Sequence, residues 1–249
     1  MSTILGACHF GNTRLNPSLQ KLCSNKMKKI SLQLLNKIHD GAISEAANPF
    51  EDEARVSNCL ISIAPIEDCS SKLEWTECFT RNLRFTASSF QDCSFDRVVF
   101  LACDFSGVSF VNCLFRDCFI VNVKSSSHIS FINCNLDNIA FLKSKFENIE
   151  FQNTKIGEVT FARICAEKLL LNDCYNYKRK GSLSIIDSQF SAVGGLEGVT
   201  KIGVKVNVDS NLWRDLGDFY LKQKGIAEFD VESGSSLNRS LSEVLESVL

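Results

Sequence analysis

The sequence predicts a mainly β repeat protein made of short extended pieces joined by corners, and three features of residues 93–120 predict it. In this stretch, CSFDRVVFLACDFSGVSFVNCLFRDCFI, a large apolar residue recurs at every fifth position, at Phe95, Phe100, Phe105, Phe110, Phe115 and Ile120. A Cys or Val stands two positions before each of them, on the same side of an extended piece. Turn-forming residues, among them Asp92, Gly107 and Asn112, follow two positions after large ones. A period of five fits neither an α-helix nor a regular strand.

The pattern resembles the pentapeptide-repeat family, summarised as A(D/N)LXX, with a small residue or Cys first and Leu or Phe at the centre. The units Cys93–Arg97 and Cys103–Gly107 carry this resemblance, although most units lack the Asn or Asp. The resemblance implies a right-handed quadrilateral β-helix with four units per coil. Residues 20 apart would then stack on neighbouring coils about 4.8 Å apart, so we expect Phe85 against Phe105 and Phe95 against Phe115.

The repeat frame sets the expected domain organisation. It continues in phase from Leu73 to Gly195, with a one-residue slip near 124–128 and a protruding loop at 175–181 (YNYKRKG). Residues 55–63 (RVSNCLISI) are predicted as one strand that caps the open N-terminal edge, which would otherwise favour aggregation. We therefore assign residues 55–195 to the β-helix.

The predicted core consists of the side chains at the two inward positions of each unit. Those at the central position are Phe85, Phe90, Phe95, Phe100, Phe105, Phe110, Phe115, Ile120, Phe131, Phe141, Phe146, Phe151 and Phe161; those at the small position include Cys93, Cys103, Cys113, Cys118 and Cys134. An interior filled in this way leaves no cavity for a substrate.

Five of the twelve cysteines, those at the small inward positions named above, are predicted to be packing residues. Their spacings up to Cys118 are multiples of five, whereas structural zinc sites use CxxC pairs, and a free Cys at a small inward position behaves as a small hydrophobe. Cys93 and Cys113 would stack one coil apart, close enough for a disulfide by distance alone. We expect no metal and no cofactor.

Helices are predicted on both flanks of the repeat. Residues 1–54 form an N-terminal segment in which 17–46 read as an amphipathic helix, with Asn16 as its cap and Pro17 in its first turn. Residues 196–231 are predicted as a C-terminal cap with a helix at 211–224. Residues 232–249 are predicted as a linker and a terminal amphipathic helix, which either forms a homodimer or docks back on the chain.

One side of the predicted β-helix carries an apolar stripe on its outside. The residues that flank the inward ones on this side are the candidate interaction surface, namely Val99, Leu101, Phe119, Val121 and Leu142. A contiguous apolar stripe indicates that something covers it. The candidates are the helix predicted at 17–46 and the surface of a dimer or partner.

Composition and motifs give no sign of catalysis. The chain carries a net charge of −2, three His and no GxSxG, P-loop or HExxH motif. The start lacks the features of a secretory signal, and no apolar run reaches the length of a membrane span. We therefore expect a cytoplasmic protein that is not an enzyme, does not span a membrane and does not bind nucleic acid directly.

Two functions remain open. The first is a non-catalytic scaffold that binds another protein through its faces and loops, with Lys178, Arg179 and Lys180 as candidate loop contacts. The second is implied by the resemblance, because some quinolone- and microcin-resistance members of the family mimic DNA and occupy DNA gyrase. Mimicry needs an acidic surface, but residues 71–195 contain 14 Lys and Arg against 13 Asp and Glu. The first function is therefore the preferred prediction.

Overall fold

The computed structural model describes residues 44–45, 49–61, 70–176, 181–186, 188–201 and 204–209. In this part of the chain the protein is mainly β, a parallel β-solenoid of about six turns. Every pairing between its strands is parallel. No helix in the described residues is both long and apolar enough to cross a membrane. The helices predicted at 211–224 and within 232–249 lie outside the described residues.

Each coil has four faces, numbered here in chain order. Face 1 is centred on Trp75, Phe95 and Phe115 and their equivalents in later coils. Its strands are β2 (Arg55–Ser57), β5 (Glu74–Thr76), β8 (Ser94–Asp96), the first parts of β11 (Leu114–Val121) and β13 (Asn135–Leu142), and β15 (Lys155–Ile156).

Face 2 follows face 1 around the coil and is centred on Phe100, Ile120, Phe141 and Phe161. Its strands are β1 (Ser44–Glu45), β3 (Cys59–Ile61), β6 (Phe79–Arg81), β9 (Val99–Leu101), the later parts of β11 and β13, β16 (Glu158–Ala162), β18 (Ser182–Ile186) and β20 (Lys205–Asp209).

Faces 3 and 4 complete the coil. Face 3, centred on Phe85 and Phe105, is held by single bridges such as Arg84 with Asp104, and then by the first parts of the longer strands. Face 4 is centred on Phe90, Phe110 and Phe131. The strands of these two faces are β4 (Ser70–Ser71), β7 (Ser89–Gln91), β10 (Ser109–Val111), β12 (Lys124–Ile132), β14 (Lys145–Gln152), β17 (Cys165–Asn172) and β19 (Gln189–Gly194).

The corners between the faces share one backbone conformation. From Lys72 to Asn122 every fifth residue has a positive φ, and the corner amide donates a hydrogen bond to the next coil, as from Asn82 N to Leu101 O at 3.0 Å. Asn and Asp adopt this region at low cost, but Glu77 and Arg97 adopt it too. The stacking of the coils therefore imposes the corner even where the residue does not favour it.

Aromatic side chains stack along the axis as the spacing predicted. Phe85 and Phe105 have ring centroids 5.2 Å apart, and Phe95 and Phe115 are 4.9 Å apart. The longest stack lies on face 4, where Phe90, Phe110, Phe131 and Phe151 follow one another at 5.1, 5.1 and 5.0 Å. Burying each such side chain contributes roughly 1.5–3 kcal/mol.

The frame slip is a bulge in β12. The register shifts between Ser125 and His128, so that Phe110 pairs with Phe131, one residue beyond the regular spacing. Ser125 occupies the inward position below Phe105 and donates a hydrogen bond to the Phe105 carbonyl at 3.1 Å. The small side chain leaves room for the extra residue without opening the stack of coils.

The N-terminal end of the solenoid differs from the sequence prediction in two ways. Residues 55–63 do not form a single capping strand, because the chain turns at Asn58 (φ 52°) and forms β2 and β3 on two faces. The helix predicted at 17–46 also extends too far, because β1 pairs with β3; the rest of it lies outside the described residues. Phe50 closes the core, with its ring 5.1 Å from that of Trp75.

The C-terminal end adds one helix and one strand. Helix α1 (Leu196–Lys201) buries Leu196 and Val199 against the last coil. The chain then returns as β20, which pairs with β18 on face 2. The sequence did not predict β20, because α1 interrupts the five-residue frame.

Candidate interaction surfaces

The five residues predicted as an interaction surface lie together on the outside of face 2. Phe119 pairs with Val99, and Val121 pairs with Leu101 on one side and Leu142 on the other. Phe119 is 3 % and Val99 4 % exposed, and Leu142 is half-buried. None of the five belongs to the interior core cluster. The row is therefore closed to a partner in this structure, and a role in binding one stays a prediction.

The buried row extends beyond these five residues, and we call it the outer row of face 2. It comprises Phe79, Val99, Leu101, Phe119, Val121, Ala140, Leu142, Ala162 and Ile186. All of them lie outside the interior cluster, and all are buried except Leu142, which is half-buried. Face 2 thus has apolar side chains buried on both sides of its strands.

Face 1 carries a network of ion pairs on its outside instead. The Asp96 carboxylate accepts from Arg116 Nε at 2.7 Å, one coil away, and from an Arg97 guanidinium nitrogen at 2.9 Å. Arg97 also pairs with Glu77 in the preceding coil. Burial raises the pKa of Asp96, but the hydrogen bonds and charges of the two arginines outweigh it and hold the pKa below its usual value. The network ties together three coils.

This network was not predicted from the sequence, although a signal for it exists. Asp96 and Arg116 stand one coil apart, and so do Glu77 and Arg97. Opposite charges at that spacing become neighbours in a parallel ladder. The signal is therefore a pair of opposite charges separated in sequence by one whole coil, and not by one unit of five residues.

The corner between faces 4 and 1 carries a column of amide and carboxylate groups. Asn112 Nδ2 donates to Asp92 Oδ1 at 3.0 Å, and Asn153 Nδ2 donates to Asn133 Oδ1 at 2.7 Å. These side chains are exposed. The neighbouring face 4 adds Gln91 and Gln152 but also Glu150 and the half-buried Val111, so this side is polar without being uniformly neutral.

Charged side chains lie on the outside of face 3 and in its bulge. Lys124 Nζ lies 3.4 Å from Asp104 Oδ2, and Lys145 and Glu147 are exposed in the next coil. His128, in the bulge, has Nε2 3.3 Å from Glu150 Oε2. The other predicted contacts, Lys178, Arg179 and Lys180, lie outside the described residues.

The described cysteines are free thiols, and several of them donate to a backbone carbonyl of the preceding coil. Cys118 Sγ donates to Phe95 O at 3.2 Å and Cys113 Sγ to Phe90 O at 3.3 Å. Burial raises the pKa of Cys118 to about 12 and that of Cys103 to about 11. A protonated thiol is a poor nucleophile, so these groups have little reactivity at neutral pH.

The described residues contain no candidate metal site. No group of three or more His, Cys, Asp or Glu side chains there could hold an ion. The stacked thiols Cys93, Cys113 and Cys134 follow the repeat along one edge of the interior, and each donates to a carbonyl of the coil before it. Their arrangement is that of packing residues.

The comparison with protein families identifies the repeat. The family model described as pentapeptide repeats, with 8 copies, matches residues 81–117. Residues 81–117 are pentapeptide repeats. The strand registers carry the same pattern through coils on both sides of the matched stretch. None of the curated proteins matches the sequence.

Two solved structures are similar to the chain, with low sequence identity and low TM-scores. A trypsin-treated variant of QnrB1, a plasmid-mediated fluoroquinolone resistance protein, shares 15% identity, with 74% of this chain and 96% of that chain covered and a TM-score of 0.31. Full-length QnrB1 shares 12% identity, with 67% and 100% covered and a TM-score of 0.26. The fold assignment rests on the strand registers and on the family match.

Proposed function

We propose that the protein is a non-catalytic scaffold that binds another protein through the outer surfaces of faces 1, 3 and 4 and through the loop at 178–180. The observation that supports this most is the interior, which is filled from Trp75 to Phe161 by contacting side chains. The outer surface then has to carry the function. The right-handed sense of the coils, the helical flanks and a homodimer through the terminal helix stay part of the proposal.

The exposed faces have properties that suit protein recognition. Parallel pairing repeats their polar groups at about 4.8 Å along the axis, and the ion pairs of Asp96 and the Asn112–Asp92 bond hold side chains in fixed positions. A surface that is ordered before binding loses less side-chain entropy when a partner docks. Charges of both signs alternate on face 1, which favours a partner with a complementary pattern.

The test changes one exposed face at a time in the full-length chain. Arg116→Glu alters face 1, Lys145→Glu alters face 3 and Lys178→Glu alters the loop, with Gln152→Glu on face 4 as a fourth variant. Affinity capture from the source cells, quantified by mass spectrometry, should yield a protein whose recovery depends on one variant and not on the others. Purified components must then reproduce that dependence. If no captured protein responds to any of the four variants, the proposal is wrong.

DNA mimicry at gyrase is the alternative function. QnrB1 is a plasmid-mediated fluoroquinolone resistance protein, but the charges of this chain give mimicry little support. On face 1 the buried Asp96 carboxylate is paired with Arg97 and Arg116. A gyrase supercoiling assay with a fluoroquinolone discriminates the two. We expect neither protection nor inhibition at micromolar protein, and protection would replace the scaffold proposal with mimicry.

A further inference from the structure

We propose that the outer row of face 2 is a docking surface for the chain's own segment 17–43. This inference does not depend on the proposed function, since it concerns the one face that we exclude from partner binding. Three observations lead to it: the burial of the row, the place where the segment joins the solenoid, and the length and pattern of the segment.

The burial of the row is the first observation. On the other faces most residues at corresponding outward positions are exposed or half-buried, and Arg116 on face 1, Lys145 on face 3 and Gln91 on face 4 are exposed. Leu101 and Phe79 on face 2 are 0 % exposed, although their side chains lie outside the interior cluster. The structure contains a single chain. A row of apolar side chains that is buried without a partner is covered from within the chain.

The point of attachment is the second observation. Ser44 pairs with Cys59 and Glu45 with Leu60, which makes β1 the first strand of face 2. The chain before Ser44 therefore reaches the solenoid at the N-terminal edge of this face and of no other. A segment that begins there can run along the outer row without crossing a corner.

The length and pattern of the segment are the third observation. The row extends over five coil spacings, from Phe79 to Ile186, which is about 24 Å at the spacing of parallel strands. Apolar residues at helical spacing extend from Leu19 to Ile38 and include Leu22, Ile30 and Leu34. As a helix this stretch would measure about 29 Å. One amphipathic helix is thus long enough to cover the whole row with its apolar side.

The C-terminal residues are the rival within the chain, because β20 also ends on face 2. Length favours the N-terminal segment. The helix predicted at 211–224 would measure about 21 Å, which is shorter than the row, whereas the stretch from Leu19 to Ile38 is longer than the row. Charge does not separate the two segments, because Arg97 lies between Glu77 and Asp117 on the border with face 1, and Lys143 and Arg163 lie on the border with face 3.

Hydroxyl-radical footprinting of the full-length protein tests the proposal. Mass spectrometry then measures how fast Phe119, in the outer row, and Phe115, in the interior, are oxidised. In the native protein we expect both to react slowly. Leu34→Asp places a charge on the apolar side of the segment and should raise the Phe119 rate several-fold while leaving Phe115 slow. Asn36→Asp, on the opposite side of the predicted helix, is the matched control and should change neither rate.

Four results would overturn the proposal. Phe119 could react fast in the native protein, or Leu34→Asp could leave its rate unchanged. Leu221→Asp could expose Phe119 where Leu34→Asp does not, which would assign the row to the C-terminal residues. Protection that is lost on dilution, together with a dimer in sedimentation, would assign it to a second copy. If Leu34→Asp also raises the oxidation rate of Phe115, the milder variant Ile30→Ala is used instead, and the same result is expected from it.

Discussion

Faces 1 and 2 share almost the same interior and differ completely on the outside. Inside, Phe95 and Phe115 on face 1 correspond to Phe100 and Ile120 on face 2, and all four are at most 2 % exposed. Outside, face 1 carries ion pairs around Asp96, whereas face 2 carries the buried outer row. The repeat therefore constrains only the inward positions. The outward positions of one face can serve packing while those of the next stay available to a partner.

The two outer surfaces also differ in what they contribute to stability. An apolar side chain removed from water contributes about 25 cal/mol per Å², so the outer row acts as a second core on one side of the solenoid. Ion pairs that stay partly exposed contribute only about 0–1 kcal/mol each, and the Arg116 side chain is 52 % exposed. Face 2 should thus matter more for folding than face 1.

The largest effect is expected from the interior, where the two faces should respond alike. Phe95→Ala and Phe100→Ala each remove a ring that contacts neighbours above, below or beside it, such as the Phe95–Phe100 pair at 5.6 Å. We expect each to lower the free energy of unfolding by about 3–5 kcal/mol, through lost burial and a cavity. Urea unfolding followed by circular dichroism measures this. A small loss at one face only would show that the interiors are not equivalent.

The next largest effect should separate the two outer surfaces. Phe119→Ala removes a buried side chain from the outer row and should cost about 2–4 kcal/mol. Leu114→Ala removes the half-buried side chain at the corresponding outward position of face 1 and should cost less than about 1 kcal/mol. Both are read by urea unfolding. Equal losses would mean that the outer row has no special role in folding.

A smaller effect is expected from the ion pairs of face 1. Asp96→Asn should lower the free energy of unfolding by about 1 kcal/mol at neutral pH. Because the pKa of Asp96 is lowered in the folded state, its contribution is present above the unfolded pKa and is lost as pH falls through the folded pKa. Wild type and variant should therefore converge in acid and at high salt. A difference that persists in acid would assign the effect to packing instead of charge.

The sequence predicted the interior well because a single local rule specifies it. The period of five placed Phe85 against Phe105 and Phe95 against Phe115, and both contacts are present. The rule fails where the frame is interrupted, as at Asn58, where one strand was expected and two form, and after α1, where β20 was missed. Neither position has enough neighbouring units in phase to show the repeat.

The outer surfaces could be predicted only in part, because they depend on contacts between coils and on what packs over the coils from outside. The sequence grouped Phe119, Val121 and Val99 on one side, which the register confirms. It could not show that they are buried, because burial depends on what packs over them. The Asp96–Arg116 pair requires the coil period, and the Asn138–Asp117 hydrogen bond of 2.6 Å also requires the slip. Which side chains of neighbouring coils form pairs depends on the register between the coils, and a local sequence pattern does not contain that register.

The last effect is expected only at alkaline pH and concerns the thiols at the small inward positions, where the faces differ again. Face 1 stacks Cys93, Cys113 and Cys134, while on face 2 Cys118 stands between Val98 and Ile139. Burial raises the pKa of Cys118 to about 12, from an ordinary value of 9.0. In the unfolded chain the thiol ionises first, so its contribution is fully present below that ordinary value and is lost as pH rises towards the folded pKa.

Cys118→Val tests this, because the column already accommodates Val98. Near neutral pH we expect the variant to be within about 1.5 kcal/mol of wild type. One pH unit above the ordinary thiol pKa, wild type should lose about 1.4 kcal/mol that the variant keeps. Val98→Cys adds another buried thiol to the column, between Cys78 and Cys118, and should steepen the loss. Urea unfolding at both pH values measures the difference, and parallel pH profiles for all three proteins would mean that Cys118 has no part in the alkaline loss.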